Sequence, residues 1–174
     1  MNSNYQMEIP TRKRARPPTH QGMPHAQIDI QPVPDIHAEL FRRCYALPYV
    51  QNRPTVISVR GARALWLRED LALAHPEVIA RGREFAHIHP DGSLHVSLPP
   101  ERASEAVSKG WAEPHPLAQY LGNEGMVMLY TPLDMGELDV VFGLILDSYN
   151  FVTGSNLQPN EVLSAGNVEE KLTS

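Results

Sequence analysis

Three of the chain's eight histidines, His87, His89 and His95, lie within nine residues of one another. Imidazole titrates near neutral pH, so a histidine can accept a proton and return it under ordinary conditions. The neutral ring is also a common ligand of Zn, Fe and Cu ions. The spacing therefore indicates proton transfer or metal binding, provided that the three rings face the same way.

The sequence around these histidines predicts a β-hairpin that turns all three rings to one face. Pro90-Asp91-Gly92 suits a three-residue loop, because Pro fixes φ, Asp fits the second turn position and Gly accepts the left-handed position. Side chains alternate along a strand, and a shift by one residue would mix polar and apolar groups on both faces. The favoured register pairs His87 with His95 and His89 with Ser93. One face then carries Phe85, His87, His89, His95 and Ser97, and the other carries Ala86, Ile88, Leu94, Val96 and Leu98.

The segments around the hairpin predict helices that cover the apolar face of a sheet. Apolar residues at helical spacing predict helices over 35–47 and 134–154, the last with a capping pair at Asp134 and Glu137. Pro near the first turn and Gly at the exit predict a further helix over 99–110. Strands are predicted over 54–59, 62–67 and 125–131. Helices interrupt the strands without strict alternation. The expected fold class is α+β, with a mainly antiparallel β-sheet, a central histidine-bearing hairpin and two to three packed helices.

Two flanking segments differ in composition from the predicted domain at residues 35–154. Residues 1–34 are rich in Pro, Gln, Asn and His and contain a basic cluster at 11–18. This composition is typical of a disordered leader, with a localisation signal or nucleic-acid arm as the alternative for the cluster. Residues 155–174 are polar and acidic, and we expect a flexible tail.

The overall composition argues against several classes of function. The net charge of −5 gives no general basic footprint for nucleic acid. The single cysteine, Cys44, excludes an internal disulfide and a multi-thiolate zinc site, and it suits a reducing compartment. No signal peptide and no apolar run of about 18–20 residues is evident. We expect a cytoplasmic protein that binds neither nucleic acid nor membrane, and no oligomeric state is predicted.

Three ordered blocks of the sequence resemble the luciferase domain of bioluminescent fungi and its uncharacterised bacterial and fungal relatives. The blocks are residues 83–98, residues 109–118 with the sequence KGWAEPHPLA, and residues 128–132 with the acidic start of the last helix. The best-known members oxidise a hydroxylated styryl-pyrone with O2, without a metal or organic cofactor. The resemblance therefore implies an enzyme that holds a flat, oxygenated small molecule. By motif match, the residues lining its site are His87, His89, His95, Trp111 and His115.

The chain departs from the family pattern at several points. Its hairpin loop is shorter, and Ala112 and Gln119 replace family glycines. We also expect no counterpart of the family's transmembrane leader. We therefore expect a luciferase-domain enzyme that acts on another substrate, emits no light and serves the biosynthesis of secondary metabolites.

The candidate residues suit chemistry on a planar enolic or phenolic metabolite. Such a substrate must lose a proton before it reacts directly with O2, so one imidazole would act as the base and an imidazolium would steady the oxyanion. Glu84 or Glu113 could orient an imidazole, and Phe85 and Trp111 could stack on a planar ring. We expect cofactor-free oxygenation, or a proton-transfer step such as isomerisation or cyclisation. The expected catalytic residues are His87, His89, His95 and His115. The expected substrate-binding residues are Phe85, Ser97, Trp111 and Glu113.

Two other functions stay open. A metal-dependent oxygenase could use the same histidines, because His-x-His on a strand with His95 opposite offers three imidazoles. A non-catalytic domain that binds a small molecule is the other. The other histidines and the cysteine are expected to take no part in the chemistry. We expect His37 and His75 at the surface, His20 and His25 in the leader, and Cys44 in the core.

Overall fold

A computed structural model describes residues 6–172, with side chains up to residue 165. The described elements are α1 (Pro34–Tyr45), β1 (Val50–Pro54), β2 (Arg63–Leu67), a short 3₁₀ helix (Pro76–Val78), β3 (Glu84–Ile88), β4 (Leu94–Ser97), α2 (Pro100–Ser108), β5 (Ala112–Pro114), β6 (Met126–Leu129), α3 (Met135–Thr153) and α4 (Pro159–Leu172). The six strands form one antiparallel sheet in the order β1-β2-β3-β4-β6-β5. The predicted α+β class is confirmed. None of the helices within residues 6–172 is long and apolar enough to cross a membrane.

The hairpin of β3 and β4 has the predicted loop and register. Gly92 has φ of +90° and donates its N–H to the carbonyl of His89 at 2.9 Å. His87 pairs with His95, and the N–H of His89 donates to the carbonyl of Ser93 at 2.8 Å. The histidine side chains therefore leave the sheet on one face.

A bulge in β3 changes the position of Phe85. Leu65 of β2 pairs with Ala86, but the next residue, Trp66, pairs with Glu84, so Phe85 is the extra residue on its strand. The Phe85 ring packs edge-on against Tyr149 of α3, with ring centroids 6.0 Å apart. The prediction that Phe85 shares the histidine face is therefore wrong, because the bulge breaks the alternation on which it rested.

Helix α3 packs against the sheet and closes the core. Its start is capped as predicted: Asp134 accepts the N–H of Glu137 at 2.8 Å, and Glu137 accepts the N–H of Leu133 at 2.9 Å. Gly154 ends it with φ of +76°. Apolar side chains of α3 are buried, and the Ser148 hydroxyl donates to the carbonyl of Ser97 in β4 at 2.7 Å. The opposite face of the hairpin is left to the histidines.

Residues 6–33 do not form the disordered leader that was predicted. Ile9 is 1% exposed within the core, and Trp111 donates its indole N–H to the carbonyl of Pro10 at 2.6 Å. The basic cluster is partly paired, because Arg14 contacts Asp134 and Glu137 at 3.0 Å. The segment lacks apolar periodicity because much of its attachment uses single contacts to backbone and to charged groups. Residues 1–5 of the predicted leader lie outside the described residues.

Two other segments differ from the predictions. The C-terminal segment predicted as a flexible tail contains α4, where Val162 is buried, and Asn150 holds Leu157 by two hydrogen bonds of 2.9 and 3.0 Å. Residues 173–174 lie outside the description. The strand predicted over 54–59 lies earlier, at Val50–Pro54, and residues 55–58 form a turn around the Thr55 hydroxyl.

Candidate active site

Five histidines form one buried cluster against the histidine face of the hairpin. Their exposed fractions run from 2% for His25 to 8% for His115. Four of the five are the predicted catalytic residues His87, His89, His95 and His115, which the structure brings together. The fifth, His25, comes from the N-terminal segment.

Three of these rings form a hydrogen-bonded chain between two carboxylates, which we call the imidazole chain. Glu84 Oε1 is 3.0 Å from His87 Nδ1, and His87 Nε2 is 2.9 Å from His95 Nδ1. His95 Nε2 is 3.0 Å from His25 Nδ1, and His25 Nε2 is 2.5 Å from Glu113 Oε1. Every ring nitrogen of the three histidines has a partner in this chain.

The Glu84 end of the imidazole chain is fixed by the turn after β1. The bulge brings Glu84 within reach of the histidine face, where Thr55 donates its hydroxyl at 2.7 Å and Val56 its N–H at 2.8 Å. Burial raises the pKa of Glu84, but the hydrogen bonds from His87, Val56 and Thr55 outweigh it, so the pKa lies below its ordinary value. An ionised Glu84 accepts the Nδ1 hydrogen of His87 and thereby orients the ring.

The Glu113 end lies where the N-terminal segment crosses β5. Besides His25, Glu113 accepts the hydroxyls of Thr19 at 3.0 Å and Tyr130 at 3.1 Å. Gln27 fixes the segment next to His25, because its amide nitrogen donates to the Thr131 hydroxyl at 2.6 Å. The side chain expected to orient an imidazole is therefore in place, but the imidazole is His25.

His115 and His89 lie beside the chain and are each fixed by one nitrogen. His115 Nδ1 accepts the N–H of Leu117 at 3.1 Å, which leaves the hydrogen of the neutral ring on Nε2. His89 Nδ1 is 2.8 Å from the Ser93 hydroxyl, whereas its buried Nε2 has no hydrogen-bond partner among the described residues. His115 thus offers a donor, and His89 has an unpartnered nitrogen.

Burial, together with the neighbouring histidines, lowers the pKa of His89 to about 3 and that of His115 to about 4. The pKa of His95 is lowered in the same way, with burial as the largest cause. A positive charge on any of these three rings is therefore unfavourable.

A cavity of about 500 Å³ opens beside the imidazole chain. Four histidines and Ser58 form its polar side, and apolar side chains from several loops and from β6 form the rest. The histidines are His25, His87, His95 and His115, and the apolar lining includes Met23, Ile57, Leu117, Leu121 and Met126. The size and the division into polar and apolar sides suit a flat small molecule with one oxygenated end.

None of the four predicted substrate-binding residues is among the residues that line this cavity. Trp111 is on the side of the N-terminal segment, where its indole donates to Pro10 and its ring lies 6.0 Å from the Arg12 guanidinium carbon. Phe85 and Ser97 line a second cavity of about 30 Å³, which has His87 and His95 in common with the larger one, and Ser97 accepts the amide of Asn123 at 2.9 Å. Stacking of Phe85 or Trp111 on a ligand in the larger cavity does not fit these positions.

The sequence analysis missed His25 and the apolar lining from the loops. His25 lies 70 residues from His95 in a stretch without apolar periodicity, so no local pattern pointed to it. Only its residue type could have pointed to His25, because a histidine from any part of the chain can join a histidine cluster in the fold.

Two histidine sets have ring nitrogens close enough for a shared metal ion. One is His87, His89 and His95, and the other is His25, His95 and His115. In each set the three nitrogens lie within 4.8 Å of one another, and all the residues are buried. Three imidazoles of this kind can hold Zn, Cu or Fe with a position left open.

The matching family model and the most similar proteins found by comparison all carry the description luciferase. Residues 82–147 match the family model described as "Luciferase domain". A protein named "Luciferase" from Armillaria gallica is 30% identical over 166 residues, which cover 84% of this chain and 62% of that protein. A "Luciferase" from Armillaria mellea is 37% identical over 86 residues, 46% of this chain and 32% of that protein. The chain therefore spans under two thirds of the first relative and about a third of the second. No solved structure matches it.

Proposed function

We propose that this chain, which belongs to the luciferase-domain family, is an enzyme that acts on a planar enolic or phenolic metabolite in the 500 Å³ cavity. The reaction is oxygenation by O2, or a proton-transfer step such as isomerisation or cyclisation. Family membership supports an oxygenase-type enzyme, and the choice of substrate and reaction is our proposal.

One observation carries the proposal: the polar side of an otherwise apolar cavity consists mainly of histidines, two of which are hydrogen-bonded to carboxylates. An apolar cavity holds the carbon skeleton of a flat molecule by burial, and the few polar groups fix its orientation. The oxygenated end of the substrate would then lie against His25, His95 and His115. A simple binding domain has no need of carboxylates that orient imidazoles.

The histidines can both remove a proton from such a substrate and stabilise the negative oxygen that results. The histidine cluster takes the proton of the enol or phenol, and the Nε2–H of His115 donates to the oxygen that becomes negative. The resulting enolate is electron-rich at carbon, so it can form a carbon–oxygen bond with O2 or rearrange. Exclusion of water by the apolar lining strengthens both interactions.

The remaining parts of the proposal concern the setting. The enzyme acts in the cytoplasm, in secondary-metabolite biosynthesis, and does not emit light. Its lone cysteine suits a reducing compartment, and Ala112 and Gln119 stand where luminescent relatives carry glycine.

Turnover assays test the proposal directly. Purified protein would be mixed with hydroxylated styryl-pyrones, simpler 4-hydroxy-2-pyrones and phenols, while an oxygen electrode and mass spectrometry follow O2 and products. We expect turnover of at least one class, with His115→Ala at least about 100-fold slower, because it loses a donor to the oxyanion. His75→Ala, a histidine outside the cluster, should turn over like the wild type.

Two outcomes would reject the proposal. The first is the absence of any turnover, aerobic or anaerobic, of a ligand that binds the cavity. The second is equal turnover by His115→Ala and the wild type.

A further inference from the structure

We infer that the substrate carries an apolar arm, which runs from the histidines to the mouth of the 500 Å³ cavity and ends among exposed side chains there. This inference rests on the proposed function, which places the oxygenated ring against the histidines. It adds the chemistry of the rest of the molecule: a neutral alkyl or unsubstituted aryl chain. The resemblance implied a hydroxylated styryl arm, and the lining of this cavity favours a less polar one.

The cavity is larger than a single ring requires. A cavity of about 150 Å³ in a protein core is enough to bind benzene. At about 500 Å³, the cavity beside the imidazole chain has room for a six-membered ring with its oxygens and for a substituent of similar or greater size. A pyrone or phenol without a substituent would therefore leave most of the apolar lining without a contact.

The exposure of the lining residues gives the direction of the arm. The four lining histidines are at most 8% exposed, so they lie at the closed end of the cavity. Three apolar lining residues are far more exposed: Met23 at 60%, Leu121 at 49% and Ile57 at 41%. They come from the N-terminal segment, from the segment between β5 and β6 and from the turn after β1. A substrate whose oxygens contact the histidines therefore extends towards a mouth bounded by apolar side chains.

Exposed apolar side chains continue beyond the lining of the mouth. Val56 and Tyr120 directly precede Ile57 and Leu121 in the sequence, and Tyr120 is 87% exposed. With Met23, these residues form what we call the apolar rim, which holds five of the eight large apolar side chains that are exposed among the described residues. Apolar groups that are left in water at one place mark a surface that a ligand or a partner covers. The rim is continuous with the cavity, so we assign it to the arm of the substrate.

The lining also decides the chemistry of the arm. Apart from the histidines, the only polar side chain that lines the cavity is Ser58, and no Asp, Glu, Lys or Arg of the described residues lines it. A charged or polyhydroxylated arm would lose its bound water without gaining partners, which costs free energy. An apolar arm instead gains affinity with each carbon that leaves water. The cavity therefore favours a substrate that is polar at one end and apolar at the other.

A series of ligands with increasing arm length tests the inference. Calorimetry would measure binding of the 174-residue chain to 4-hydroxy-2-pyrones with a methyl, propyl, pentyl or heptyl group at carbon 6, and to phenols with the same groups in the para position. We expect affinity to rise about twofold to fourfold per methylene, because each one buries apolar surface. An ether oxygen in place of an inner methylene of the pentyl arm should weaken binding at least about fivefold. Equal affinities along both series, or no binding by either, would overturn the inference and assign the apolar rim to a protein or lipid partner.

A matched pair of methionine variants tests the direction of the arm. Met23→Ser removes an apolar side chain from the mouth, and Met135→Ser makes the same change at an exposed methionine that does not line the cavity. Met23→Ser should bind the heptyl pyrone about fivefold more weakly and the methyl pyrone like the wild type, whereas Met135→Ser should bind both like the wild type. Leu121→Ser makes the same test from another loop. Unchanged affinity for the heptyl pyrone in both Met23→Ser and Leu121→Ser would overturn the inference.

The apolar arm and the proposed function fail separately. Turnover of short pyrones or phenols, with affinities that do not depend on the length of the arm, would overturn the arm and leave the proposed function intact. Affinities that rise with arm length, without turnover of any ligand, would reject the proposed function and leave a site that binds molecules with one polar and one apolar end.

Discussion

Glu84 and Glu113 end the imidazole chain, and each carboxylate fixes which nitrogen of its neighbour carries the hydrogen. From these two ends, the tautomers of His87 and His25 follow, and only His95 keeps a choice. The hairpin histidines and His115 were predictable because a turn signal and a short motif place them. Glu84 was weighed as an orienting group, but the bulge that brings it to His87 leaves no mark in the sequence.

Replacement of Glu84 by Gln tests the orienting role at this end. The amide cannot accept hydrogens at both positions, so His87, Thr55 and Val56 compete for one oxygen. We expect the free energy of unfolding to fall by about 1–3 kcal/mol, because a buried hydrogen-bond donor is left without a partner. Urea denaturation measures the effect. Glu124→Gln, at an exposed carboxylate, should leave the free energy of unfolding unchanged, and equal stabilities of the two variants would contradict the role of Glu84.

Trp111 lies against the N-terminal segment in the structure, whereas the motif match implied that it lines the ligand site. Trp111→Phe keeps the ring but removes the indole N–H that reaches Pro10 at 2.6 Å. We expect the free energy of unfolding to drop by about 1 kcal/mol, measured by urea denaturation, while ligand affinity stays unchanged. A loss of ligand affinity without a loss of stability would place Trp111 in the binding site after all.

At the scale of elements, local signals predicted well and long-range contacts did not. The Pro-Asp-Gly loop and the Asp134 cap are decided within a few residues, so the hairpin and α3 appear in the structure as predicted. Phe85 was misplaced because the bulge depends on pairing with β2. The N-terminal segment was misread because its contacts are with residues about 100 positions away, such as Lys109, which donates to the Ile9 carbonyl at 2.7 Å.

Ile9 tests whether the N-terminal segment belongs to the folded domain. Ile9→Ala should lower the free energy of unfolding by about 2–5 kcal/mol, because it leaves a cavity in the core. Val33→Ala, at an exposed position of the same segment, should stay within about 0.5 kcal/mol. Urea denaturation of both variants gives the comparison, and a disordered leader would leave the two variants equally stable.

Helix α1 provides a prediction about pH. Glu39 accepts hydrogen bonds of 2.7 Å from Arg42 and of 2.8 Å from Arg43, and the bond from Arg42 is the largest cause that lowers its pKa to about 2. A depressed carboxyl pKa in the folded state stabilises the protein above the unfolded value, near 4.5, and this stabilisation disappears as the pH falls towards 2. Glu39→Gln should therefore be less stable at pH 7, by about 0.5–1 kcal/mol, with the difference closing near pH 2. Thermal unfolding across this pH range measures it, and a difference that grows on acidification would contradict the assignment.

The whole molecule assembles one site from distant parts of the chain. The N-terminal segment supplies His25, the central hairpin supplies His87, His89 and His95, and the segment after β5 supplies His115. The three site histidines of the hairpin could be predicted from the sequence, because they are close together in it. The contribution of His25 could not be predicted, because only folding brings its Nδ1 to 3.0 Å from His95 Nε2.

Ligand binding by two histidine variants of the N-terminal segment tests this account most directly. Absorption titration with a hydroxylated styryl-pyrone would compare the wild type, His25→Ala and His20→Ala, which differ by one imidazole each. The account predicts that His20→Ala binds like the wild type and that His25→Ala binds at least about tenfold more weakly, because the imidazole chain loses its link to Glu113. Equal binding by all three proteins would contradict the claim that the N-terminal segment completes the site.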